Sequence, residues 1–193
     1  MAAGRSTYHH GDARRALLTA AAELLEAEGA AGLSLRQVAE RAGLSRQAPY
    51  NHFADKEALL AELVQAGFLR LDAAMVAVDV PDAGLALERA GEAYIRCAQD
   101  APALFRLMFS SELVRLSRHP EAQKASEGGF ARLVAIVARL APAHRVEELS
   151  LAAWCLVHGY ATLCIETQLE GGERRAERAR AFARIILADA RSA

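Results

Sequence analysis

Ser34-Leu-Arg-Gln37-Val38-Ala-Glu-Arg41-Ala-Gly43-Leu-Ser45-Arg46-Gln47-Ala-Pro49-Tyr50-Asn51-His52-Phe53-Ala-Asp-Lys56 is the stretch whose reading decides the fold. Ser34 is suited to cap a helix, and Gln37 three positions on completes a capping box. Leu33 and Val38 are spaced as a hydrophobic staple. Arg41 sits at the helix end that favours a cation, and Gly43 supplies the turn. Ser45 then caps a second short helix over 46–53, and Asp55 caps a longer one reaching about Val78. Two short helices around a glycine turn, with a third starting at once, form the layout of a helix-turn-helix.

Helical spacing sorts residues 46–53 into two faces. Pro49 and Phe53 are four apart, with Ala48 beside them, and should face the preceding helices. Arg46 and Tyr50 are four apart on another face, flanked by Gln47 and Asn51. That outward set matches the major groove, where Arg pairs with guanine and Gln or Asn with adenine. Tyr50, His52, the Ser45 hydroxyl and the helix N-terminus can donate to phosphate, as can Lys56 at the start of the next helix. With Ser34 at the first cap, these eight side chains are the candidate DNA contacts. Ordinary solvated polar residues on short helices would satisfy the same pattern. Pro49 is the irregularity: it lacks the N–H that would bond the Ser45 carbonyl, and it disfavours α geometry at Ala48. A distorted first turn is expected there.

Leu33-Ser34, Val38-Ala39, Ala42-Gly43-Leu44-Ser45, Tyr50, His52-Phe53, Lys56-Glu57 and Leu59 at this ungapped spacing resemble the TetR family of bacterial one-component transcriptional regulators. The resemblance spans about residues 11–71, with the helix-turn-helix proper at 34–53. It implies that Ser45, Tyr50, His52 and Lys56 grip phosphates while Arg46 and Gln47 approach bases. Tyr8-His9-His10-Gly11-Asp12 and Ala48-Pro49-Tyr50 resemble one branch of that family. Trp154-Cys-Leu-Val-His158-Gly159 resembles the Trp-His-Gly signature of a C-terminal domain subfamily, and Pro102 to Phe109 fits the same branch. The family relationship implies a homodimer on a double-stranded palindromic operator, usually acting as a repressor and released by a small-molecule effector.

The remainder of the chain reads as generic helical bundle. Hydrophobic residues make up 53% and aromatics 6% of the 193 residues, a balance built from Ala and Leu that favours helices. Residues 1–11 read as an arm, and Asp12 as the cap of a helix running to Glu28 and stopped by Gly29. Leu17, Ala21, Leu24 and Leu25 form its inner stripe. Further helices are expected over 83–99, 102–117, 121–140, 145–169 and 173–191, with Gly171-Gly172 as a stop. The expected fold is all-α: an N-terminal three-helix helix-turn-helix domain, then an antiparallel bundle over 83–193, about nine helices in all. The fourth helix links the two parts.

Two late helices carry apolar residues around much of their circumference. Leu149, Ala152, Ala153, Leu156, Val157, Tyr160 and Ala161 form one stripe of the first, and Trp154, His158 and Ile165 another. Ala179, Phe182, Ile186 and Ala190 repeat this in the last helix. A helix apolar on two sides needs a second partner, so 145–169 and 173–191 are the expected dimer surface. By family analogy Phe68, Tyr94, Phe105, Met108, Phe109, Trp154, His158 and Tyr160 are candidates to line a pocket for a small, mostly apolar effector. Stripes of this kind are also ordinary core.

Other classes find little support. Net charge is −1, which a DNA reader tolerates when its positive charge is local; Arg5, Arg14 and Arg15 stand against Asp12 alone near the start. Cys97, Cys155 and Cys164 have neither disulfide nor zinc spacing, and His9, His10 and His52 lack ligand spacing for a metal. No cofactor is expected. Cys155 and His158, three apart, invite a nucleophile–base pairing, but no orienting group or oxyanion device accompanies them. A helical protein with a non-DNA interaction role is the other alternative, opposed by the intact Arg46, Tyr50, His52 and Lys56. No signal segment opens the chain and no uninterrupted run of about 18 apolar residues occurs, so the expected location is cytoplasmic, at the nucleoid when bound to DNA.

Overall fold

The computed structural model describes residues 6–167 and 174–190, with side chains from residue 12 onward. The Gly171-Gly172 stop and the flanking ends of the two late helices lie outside the described residues. Eight α-helices and three short 3-10 turns are present, with no strand among the described residues. The all-α expectation holds.

The chain divides into two compact units, residues 1–67 with 103–123, and residues 68–102 with 124–193. In the first unit, α1 (Ser6–Gly32) starts six residues before Asp12. Asp12 is therefore inside the helix rather than at its cap, and its carboxylate accepts from Arg15 at 2.9 Å. Gly29 breaks the helix with φ 73 and ψ 169, a left-handed conformation that glycine adopts without Cβ strain. Leu17, Ala21, Leu24 and Leu25 are all buried, as the periodicity predicts.

Helix α2 (Leu35–Arg41) is capped by Ser34 in extended geometry, its hydroxyl accepting from the Gln37 N–H at 3.3 Å. The Gln37 side chain completes the box differently from expectation. It accepts from the Ser34 hydroxyl at 2.5 Å and donates to Glu28 at 3.1 Å, so it ties α2 to α1. Gly43, at φ 67, ends α2 in a Schellman motif: Leu44 N–H bonds the Ala39 carbonyl and Gly43 N–H the Glu40 carbonyl.

Helix α3 (Lys56–Ala77) begins in the first unit, with Asp55 capping it through a 2.8 Å bond from Ala58 N–H, and continues beyond Gly67 into the second. Helix α5 (Pro102–Met108) stops much earlier than the sequence predicts for 102–117. Ser110 and Ser111 are weak helix formers, and the Ser110 carbonyl turns the chain by accepting from Leu113 and Val114.

The second unit is built around α4 (Ala83–Asp100), α6 (Pro120–Val137, whose first residues belong to the first unit), α7 (Val146–Thr167) and α8 (Arg175–Ala190). Helices α4, α7 and α8 pack on one another. They meet at Gly91, where a Cβ would lie 3.3 Å from Val157 and 3.5 Å from Ala179, so a larger residue would separate them. Arg180 bonds Glu88 at 2.9 Å and Arg175 bonds Gln99 at 3.1 Å, which sets α8 antiparallel to α4. Arg132 on α6 grips Asp72 with two bonds, at 2.6 and 3.3 Å.

Candidate nucleic-acid interface

After the Gly43 turn the chain does not form the α-helix expected over 46–53. Residues 46–48 make a turn and Pro49–Asn51 a single 3-10 turn. Pro49 is the cause. Without an N–H it cannot extend an α ladder back to Ser45, so Ala48 bonds the Ser45 carbonyl at 2.9 Å and Asn51 the Ala48 carbonyl at 3.2 Å. Ala48 itself is α-like, at φ −55 and ψ −46, despite preceding proline. The chain recovers one α-type bond at Phe53, whose N–H reaches the Pro49 carbonyl at 2.8 Å.

The predicted division into faces survives this tightening. Pro49 and Phe53 are buried. Arg46, Gln47 and Asn51 are exposed, and Tyr50 is 56% exposed, unusual for so large a ring. Ser45 is exposed, while His52 and Lys56 are half-buried beside them. The Arg14 guanidinium stands over the Phe53 ring at 5.9 Å and bonds Glu62 at 2.6 Å, which pins the reading turn to α1 and α3. Ser34 stands apart from the exposed set, because its hydroxyl is engaged in the α2 cap.

The start of α3 carries a further arrangement. Glu57 accepts the Arg115 N–H at 3.0 Å, with Arg118 at 3.6 Å and His119 at 3.5 Å. The Arg115 N–H, aided by the Arg118 and His119 contacts, holds the Glu57 carboxyl below the usual carboxylate range.

In the second unit, three of the pocket candidates come together. Trp154 N–H donates to the Tyr94 hydroxyl at 3.2 Å, and the Tyr94 oxygen lies 2.8 Å from His158 Nδ1. An indole N–H can only donate; when the Tyr94 proton goes to Nδ1, His158 carries its own proton on Nε2. Burial pushes the Tyr94 phenol up and the His158 imidazole down, so both favour their neutral forms. Phe130 tilts against Trp154 at 5.5 Å. Phe68 is buried in this unit, whereas Phe105, Met108 and Phe109 belong to the first, with the two phenylalanine rings 5.0 Å apart. Tyr160 instead meets Phe182 of α8 at 5.7 Å.

Residues 17–63 match the model for bacterial regulatory proteins of the tetR family, and residues 87–188 that for the tetracyclin repressor-like C-terminal domain. The chain belongs to the TetR family. A solved structure of a protein with unknown function from Rhodococcus sp. RHA1 is 30% identical over 96% of this chain and 99% of that one, with a TM-score of 0.80. The TetR-family transcriptional regulator PfmR from Thermus thermophilus is 26% identical over 89% and 97% of the two chains, with a TM-score of 0.66. A bacterial regulatory protein in the tetR family from Rhodococcus RHA1 shares the fold at 20% identity, over 92% and 96%, with a TM-score of 0.71. No curated protein matches the chain.

The protein is thus a TetR-family DNA-binding transcriptional regulator with a helix-turn-helix N-terminal domain. TetR-family regulators are generally not enzymes. In this TetR-family chain Cys155 is exposed, while the nearby His158 directs Nδ1 to Tyr94. Sequence reasoning gave Glu26 and Glu57 no role. Their partners lie 58 or more positions away, which no local pattern could reveal.

Proposed function

We propose that the chain is a ligand-responsive repressor that binds a palindromic operator as a homodimer and acts in the cytoplasm at the nucleoid. The observation carrying this is the exposed Arg46, Gln47, Tyr50 and Asn51 surface, held over buried Pro49 and Phe53 at the second arm of the helix-turn-helix. Arg46 and Gln47 read base edges; Ser45, Tyr50, His52 and Lys56 grip phosphates. Ser34 supports the head through its cap. Two such heads about one DNA turn apart, ~34–36 Å, fit half-sites of a palindrome.

The partner surface is α7 with α8. By length and composition 143–167 is apolar enough to cross a membrane, yet only 28% of its 18-residue apolar window is buried. Leu151 and Leu163 are each 50% exposed and Ile185 on α8 56% exposed. An apolar helix left this open is supplied with its missing contacts by a second copy. The effector is small and mostly apolar, received within the second unit near Tyr94, Trp154 and His158, with Phe68 as further lining. It acts only to the extent that it binds the two states of the reader with different affinity.

The test is a salt-titrated binding measurement on the DNA upstream of the chain's own gene. Sequence-dependent affinity that falls steeply with salt is expected. Equal affinity for all duplexes at every salt concentration would leave a helical interaction protein as the better reading. Trp154 is the sole tryptophan, so its fluorescence reports effector binding directly.

A further inference from the structure

Glu57 directly follows Lys56 in the family-like motif, yet the DNA-contact surface gives it no part. Its side chain instead holds a distant segment. It accepts the Arg115 N–H at 3.0 Å, with Arg118 Nη1 at 3.6 Å from its other oxygen. His119 Nε2, shielded from solvent, lies 3.5 Å away. The near end of the same segment is held in the same manner. Glu26 of α1 accepts the N–H groups of Ala103 and Leu104 at 3.0 and 2.9 Å, capping the first turn of α5. Between these points α3 and α5 touch at close range: a Cβ on Gly67 would lie 2.6 Å from Met108 Sδ. Two carboxylates and one glycine contact therefore clasp residues 103–119 to the reader unit.

We propose that Glu57 is a positioning residue for DNA binding: by anchoring residues 115–119 to the first turn of α3, it holds the neighbouring Lys56 where it grips phosphate. Displacement of 103–119 is then felt directly at the DNA surface. The physical reason is that Asp55 caps the first turn of α3 only locally, through the Ala58 N–H, whereas the Glu57 contact ties that same turn to residues 115–119; without the tie the turn and its lysine move more freely. The inference rests on the phosphate role of Lys56, and the test separates the two.

The experiment is a double-mutant cycle in the full chain, on a duplex selected from a random-sequence pool by the wild-type protein. Glu57→Ala is expected to weaken binding about tenfold, the scale of one charge-assisted hydrogen bond. It should cost nothing more when Lys56→Ala is already present. Amide exchange should accelerate at Arg115 and across 56–60. Glu57→Gln, which keeps an acceptor and guards against misfolding, should lose less. Additive losses, or Glu57→Ala and Glu57→Gln both binding like wild type while Lys56→Ala binds weakly, would overturn the positioning role alone. An unchanged affinity and salt slope in Lys56→Ala would instead overturn the phosphate reading, and the proposal with it.

Discussion

Pro49 removes one N–H from the ladder, and the consequence is a 3-10 turn in place of an α-helix. The exposed polar face survives because the burial of Pro49 and Phe53 orients it, whichever ladder carries it. Arg46→Ala should cost ~1–3 kcal/mol on cognate DNA and relax one operator position, since a bidentate base contact is lost. Uniform weakening across all sequences would move Arg46 to the phosphate set. Lys56→Ala should weaken every duplex alike and lower the salt slope by about one; an unaltered slope is the contrary result. At His158, burial lowers the pKa below the ordinary 6.5. The unfolded chain then binds more protons between the lowered value and 6.5, so stability rises with pH across that window and is lost on acidification. His158→Gln should flatten the fall in melting temperature below pH 6.5 relative to wild type. Parallel curves for the two proteins would show that His158 does not titrate on unfolding.

Helix ends were legible wherever the signal is local. Ser34, Gly43 and Asp55 each cap or stop a helix as their residue types predict. Gly43→Ala tests one of them cleanly. No neighbour lies within 4 Å of a Cβ there, so only the left-handed backbone at φ 67 is strained. A loss of about 1–2 kcal/mol is expected from denaturant midpoints, and a neutral result would mean the turn rearranges. Beyond the 46–53 segment, which Pro49 reshapes locally, the α5 region was misread because its ends depend on distant groups. Helix α5 takes its first-turn acceptor from Glu26, and the Arg115 N–H bonds Glu57 rather than continuing a helix. Neither partner is visible from spacing within a turn. Asp12 has a cap's chemistry, but α1 continues through it and Asp12 pairs with Arg15 instead.

Both apolar flanks predicted for α7 find partners within one chain, Trp154 and His158 of the second flank meeting Tyr94, but a further row does not. Its buried residues include Leu149, Ala153, Ala161 and Cys164, whereas Leu151, Cys155, Gly159 and Leu163 recur every four positions and are exposed. An exposed glycine inside a helix costs ~0.5–1 kcal/mol relative to alanine, so close approach of a second copy is a reason to find one there. A Cβ at Gly159 would meet nothing within 4 Å in the subunit, so Gly159→Arg should leave its fold intact while converting a dimer to monomers in sedimentation. A variant that still dimerises would place the interface elsewhere. The all-helical class, the first arm of the helix-turn-helix and the polar face of the second were readable from the chain, because periodicity and caps act within a few residues. Tertiary structure alone decided that 103–123 joins the reader unit and that Tyr94 meets His158 across 64 positions. Those pairings depend on which buried faces fit together, and a local pattern of polar and apolar residues does not encode that fit.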